Sequence, residues 1–210
     1  MPFIGVAGSV LPCTVFDNAG ECSPPKRYTD SVLPPQCWEM MKNKILVSAC
    51  LMGFKVRYNA SEKAQMAEQL ALWQQEQRLV IHCPELSAGL PVPRSPAEIL
   101  SAGGGTGVMH GQGRIIEKTG KDVTAHYQLA AWLALRAAQE SGCTAALLTD
   151  GSPTCGSQFI YDGSFRGLRQ PGMGVAAALL TEQGIAVFSD TQFAELVDWI
   201  AEKENPEFPL

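Results

Sequence analysis

Three cysteines offer the plainest chemistry in this chain. Cys50 lies in Ser48-Ala49-Cys50-Leu51, Cys83 in His82-Cys83-Pro84-Glu85 and Cys155 in Ser152-Pro153-Thr154-Cys155-Gly156. They stand 33 and 72 residues apart, so only folding can bring them together. A structural zinc site takes four ligands, usually from local pairs such as C-x-x-C, and no such pair occurs here. Three thiolates suit instead a [4Fe-4S] cluster in which one iron has no protein ligand and is open to a substrate. Glu85, two residues past Cys83, is a candidate proton donor or base for water. Ser152, three residues before Cys155, is a candidate hydrogen-bond partner for a substrate atom, although Ser-Pro also simply opens turns.

Other signals are weaker. Cys50 and Arg57 miss the cysteine-phosphatase spacing by one residue, because Val56 stands where the arginine would be needed. The run Gly103-Gly104-Gly105-Thr106-Gly107 follows no clear strand and lacks the Gly-Lys-Ser/Thr ending of a P-loop, so it reads as a flexible lid. His82, His110 and His126 are scattered, and His82 beside Cys83 either tunes the site or packs. Cys143, read as part of a helix end, is expected to be a buried structural thiol.

The elements that must position these residues alternate between strand and helix. Short apolar runs at 45–49, 79–81, 145–148 and 185–188 read as buried strands, and a cysteine follows each of the first three. Between them, a helix begins at Ser61 with Met66, Leu70 and Trp73 as its apolar stripe. Another begins at Asp122 as N-cap and ends near Gly142, with Tyr127, Ala131, Ala134 and Ala138 on one face. A third opens at Val175 and stops at Gly184. Ser189 and Gln192 resemble a capping box for a last helix that buries Phe193, Leu196, Val197 and Ile200. Residues 84–113 read as one long loop, Arg114 to Glu117 as a minor strand, and Phe159-Ile160-Tyr161 with the Asp162-Gly163 turn as a short excursion. The expected fold is α/β: a Rossmann-like open parallel sheet with helices on both faces, in a single domain. Ligands of such sheets bind at the carboxyl ends of the strands, where the three cysteines fall.

Size and composition agree with that plan. The chain has 210 residues, enough for one ordinary domain with its own core, and 46% of them are apolar against 18% charged. Its net charge of -5 argues against bulk nucleic-acid binding and leaves a small molecule as the natural partner. Seven cysteines in a chain with a full core point to a reduced, cytoplasmic protein rather than a disulfide scaffold. No apolar stretch approaches the ~20 residues that would cross a bilayer, so no membrane partner is expected. Residues 1–43 differ from the rest, with six prolines, three cysteines and no sustained period, and read as an irregular extension. Met40-Met41 directly before the first good strand marks an alternative start. The domain then spans 44–203, followed by a short tail, 204–210.

From Lys44 to Val187 the chain resembles the thiouracil desulfidases, formerly an uncharacterised bacterial domain family. The resemblance rests on Ser48-Ala49-Cys50-Leu51, Val56-Arg57-Tyr58, Cys83-Pro84-Glu85, Gly89-Leu90-Pro91-Val92-Pro93-Arg94, Asp122-Val123-Thr124, Ser152-Pro153-Thr154-Cys155-Gly156 and Tyr161-Asp162-Gly163-Ser164-Phe165. It implies a [4Fe-4S] cluster held by Cys50, Cys83 and Cys155, with Glu85 and Ser152 in catalysis. It also implies non-redox conversion of a 2- or 4-thiouracil-like base or nucleoside to the oxo-pyrimidine, with release of hydrosulfide. Thr149-Asp150-Gly151 departs from the family, in which a lysine often precedes the Ser-Pro motif. The alternative is a carrier that uses the same three cysteines to pass on iron or sulfur without catalysis.

Overall fold

Four strands without charged interiors form the centre: β1 (Lys44–Ser48), β2 (Leu79–His82), β5 (Cys143–Leu148) and β8 (Ala186–Ser189). The computed structural model describes residues 42–63 and 68–204. All pairings in this sheet are parallel and the strand order is β2-β1-β5-β8. Because β1 is inside the sheet, both its faces are covered and alternate residues serve different cores. Leu46, Ala146 and Leu148 face one core, while Ile45, Val47, Ala145 and Leu147 face the other. Each such buried branched side chain contributes roughly 1.5–3 kcal/mol relative to leaving it exposed.

Helices α4 (Thr124–Ser141) and α5 (Val175–Glu182) fill the first core through Tyr127, Ala131, Ala134, Ala138, Ala176 and Leu180. The small residues on α4 let it lie close against the sheet. On the other face lie α1 (Glu68–Gln75), through Leu70 and Trp73, and α6 (Phe193–Glu204), through Leu196 and Ile200. Met66, another member of the expected stripe, falls outside the described residues, as do residues 1–41 of the expected extension 1–43 and the end of the tail. The α/β fold with helices on both faces is thus as expected. Asn43 and Glu204, on either side of the expected domain limits, are joined: the Asn43 N–H donates to Glu204 Oε1 at 3.0 Å. The expected capping box is also present, with Thr191 N–H donating to Ser189 Oγ and Ser189 N–H to Gln192 Oε1, a device worth about 1 kcal/mol.

Four local expectations are corrected. Cys143 opens strand β5 rather than sitting in a helix. Asp122 lies two residues before α4, where Val123 is the cap, and it instead accepts from the backbone and hydroxyl of Thr124. The long loop is structured: it holds α2 (Pro84–Ser87), the antiparallel pair β3 (Ala97–Leu100) and β4 (Arg114–Glu117), and a short helix α3 (Gly104–Met109). The glycine run is that helix and not a lid. A side chain at Gly105 would lie 2.4 Å from the backbone of Gly174, so the glycines serve close packing of α3 on the start of α5. The last pair, β6 (Phe159–Tyr161) and β7 (Arg169–Pro171), is the expected excursion, an antiparallel hairpin.

Candidate active site

In a sheet ordered β2-β1-β5-β8 the chain reverses direction of travel beside β1, so a crevice opens beyond the carboxyl ends of β1 and β5. Cys50 sits in a 3-10 helix, Ala49–Met52, that follows β1 directly. Cys83 follows β2 and caps α2, with Pro84 as that helix's first residue and Glu85 in its first turn. Cys155 lies in the loop after β5. All three, with Glu85 and Ser152, line one cavity of about 390 Å³.

The Cys155 loop is pinned from behind by the start of α5. Gly174 N–H donates to Gly156 O at 2.7 Å, Val175 N–H to Pro153 O at 2.9 Å and Ala176 N–H to Thr154 O at 2.9 Å. The orphan donors of a helix start are thereby satisfied and the loop is held rigid. This needs glycine at 174, since a side chain there would come within 2.6 Å of the Thr154 backbone.

Glu85 is buried, and its carboxylate is surrounded by donors. Thr154 Oγ1 donates to Oε1 at 2.6 Å and Ser152 Oγ donates to the same oxygen at 3.2 Å, while the Arg94 guanidinium pairs with Oε2. Ser152 Oγ in turn accepts from Thr154 N–H at 3.1 Å and Cys155 N–H at 3.2 Å. Its proton and both lone pairs are therefore engaged within the chain. Arg94 also donates from Nη1 to Val56 O and Pro91 O, which ties the segment around Val56 and its own proline-rich loop to the carboxylate.

Burial pushes the thiols of Cys50, Cys83 and Cys155 above the ordinary cysteine range. Cys155 is also raised by the charges of Cys50 and Cys83, and Cys50 by that of Cys83, so the three sulfurs are electrostatic neighbours. Arg57 opposes the rise at Cys50, and a hydrogen bond from Ser48 opposes it at Cys155. Thr149 also opposes the rise at Cys50, through its side chain. Among the described residues no three His, Cys, Asp or Glu side chains close around one point as a single metal ion requires. Thiolates at separate corners of a cluster need not do so, and the all-sulfur donor set fits iron-sulfur ligation.

The sequence profile of the 2-thiouracil desulfurase family matches residues 45–192. The chain belongs to that family. A curated relative, the uncharacterised protein YbbK of Bacillus subtilis strain 168, is 42% identical over 155 residues, covering 73% of this chain and 99% of YbbK. A solved structure of the [4Fe-4S]-dependent thiouracil desulfidase TudS matches with a TM-score of 0.69 and 40% identity, covering 76% of this chain and 99% of that one. Seen as a desulfurase-family site, the cavity brings together the five residues singled out from sequence, Cys50, Cys83, Cys155, Glu85 and Ser152. It adds Arg94 and Asp150, with Thr154 buried behind Glu85, and to these three sequence reading assigned no role. Arg94 was legible in principle: a carboxylate buried at the start of α2 calls for a cation, and Arg94 closes the proline-rich stretch that follows.

Proposed function

We propose that this protein is a [4Fe-4S]-dependent desulfidase that converts a thiolated pyrimidine of the 2- or 4-thiouracil kind to its oxo-base. The observation that supports this best is one cavity wall shared by three thiols, Cys50 and Cys155 buried and Cys83 half-buried, and a fixed carboxylate, Glu85. Cys50, Cys83 and Cys155 would hold the cluster, three ligands for four irons, which would leave one iron without a protein ligand. When bound, the cluster supplies a soft Lewis acid that polarises a thiocarbonyl.

The remaining work falls to the chain. Glu85, held by Arg94 and Thr154, takes a proton from the water that adds to the thiocarbonyl carbon and returns one as the carbon–sulfur bond breaks. Ser152 positions that carboxylate: backbone N–H groups occupy its lone pairs, which turns its hydroxyl hydrogen toward Glu85 and fixes the carboxylate for the proton transfer. The balance is thione plus water giving ketone plus hydrosulfide and a proton, so no oxidant or reductant is consumed.

Anaerobic purification should give brown protein with about four irons per chain, and turnover of 2- or 4-thiouracil is read as loss of thiocarbonyl absorbance. Glu85→Gln should keep the iron and lose turnover. Protein that loads iron but never desulfurates would be a carrier, and protein that cannot be loaded would reject the reading altogether.

A further inference from the structure

Five buried side-chain atoms among the described residues lack a hydrogen-bond partner within the chain: His82 Nε2, Arg94 Nε, Thr149 Oγ1, Asp150 Oδ2 and Ser157 Oγ. Folded chains rarely leave such groups unpaired. Four of the five belong to residues that line the cavity, which makes it a place where a bound molecule supplies the missing partners.

Asp150 is the most informative of them. It is only 7% exposed, and its Oδ1 accepts from Ser157 N–H at 2.8 Å and Gln158 N–H at 3.0 Å. Its own N–H donates to Asp190 Oδ1 at 2.8 Å. The carboxylate is thus locked in orientation with one oxygen satisfied and the other, Oδ2, left to accept. It stands two residues before Ser152 on the same loop. A carboxylate oxygen accepts hydrogen bonds and donates none, so it selects a donor.

We infer that Asp150 Oδ2 accepts the ring N–H that flanks the thiocarbonyl carbon of the substrate. This rests on the desulfidase reading and deepens it. In both 2- and 4-thiouracil the N3–H flanks that carbon. The substrate class is therefore thiolated lactam rings with a free N–H at that position; a sugar on N1 leaves the contact intact, and a substituent on N3 destroys it.

The test uses the full-length, iron-loaded protein and two unreactive probes: uracil, and 3-deazauracil, which places C–H where N3–H stood without added bulk. Each is measured by equilibrium binding and as an inhibitor of 4-thiouracil turnover. Wild type should bind uracil at least about tenfold more tightly, since a site built around a substrate N–H rejects an analogue lacking it. D150N keeps an acceptor for Ser157 and Gln158 while turning the free position into a donor. It should weaken uracil about 10- to 100-fold, leave 3-deazauracil nearly unchanged and retain wild-type iron content. Equal binding of the two probes by wild type overturns the inference whatever the variant does. So does wild type that binds neither probe, or a D150N protein that binds uracil normally or loses both probes equally. Turnover by wild type is scored separately: its absence rejects the desulfidase reading, while the ratio of the two probes reports on Asp150.

Discussion

At the amino end of the sheet the Arg78 side chain is buried, and so is that of Arg94 at the carboxyl end, but their surroundings differ. Arg78 donates from Nε to Asn43 O at 3.0 Å, from Nη1 to Glu76 at 3.2 Å and from Nη2 to Glu204 at 2.5 Å, and it lies over the Trp73 ring. All three of its nitrogens are engaged, and the cluster ties β2, the entry to β1 and the end of α6 together. Arg94 pairs with Glu85, yet its Nε has no partner, and neighbouring cavity residues carry further unpaired atoms. The same contrast holds for cysteines. Cys143 at the start of β5 is a lone buried thiol beside Lys44, whereas Cys155 beyond its end faces two other thiols. Saturated polar clusters hold the fold, and unsaturated ones are where a ligand completes the network.

That comparison can be broken most sharply at Glu85. Glu85→Gln should lower kcat on thiouracil by about 10²- to 10⁴-fold, the usual worth of a positioned acid or base, with iron content unchanged. An unaffected kcat would remove the site from catalysis. Arg78→Met should do the reverse: it removes the hydrogen bonds to Asn43, Glu76 and Glu204, leaves Glu76 with Lys42 and Glu204 with Asn43, and is expected to cost about 1–3 kcal/mol of stability, seen as a lower urea midpoint, with the turnover of folded protein intact. A loss of turnover there would erase the distinction between the two ends.

Ser152→Ala sharpens the comparison within the site. It removes the acceptor for Thr154 and Cys155 N–H and one donor to Glu85. The expected outcome is a roughly tenfold lower kcat and a stability loss of about 1–2 kcal/mol, because this hydroxyl serves both loop and carboxylate. The smallest effect is expected at Cys143. Burial pushes its thiol up to about 11, so it is protonated at pH 8 and becomes nucleophilic only as pH rises toward that value. Native protein treated with iodoacetamide at pH 8 should remain unlabelled there by mass spectrometry, and Cys143→Ala should bind as much iron as wild type.

Much of the fold was legible because buried parallel strands are apolar on both faces. Ile45 to Val47 and Ala145 to Leu148 therefore stand out as continuous runs. The glycine run misled for a definite reason: glycine signals freedom in a sequence, but at Gly105 it answers a close approach by Gly174, a residue far along the chain. Cys143 was assigned to the wrong element because the αL cap at Gly142 ends the helix one residue earlier than an apolar thiol suggests.

By itself the sequence determined the alternation of strand and helix, the faces that would be buried, and which residue types stood at strand ends ready for chemistry. These follow from local periodicity and side-chain chemistry. Only the tertiary structure decided that Ser152 and Thr154 would meet Glu85 across 67 and 69 residues, that Arg94 would close on the same carboxylate, and that Asp150 would keep one oxygen unpaired. Those relations depend on the order in which the strands lie side by side, and no local pattern records that order.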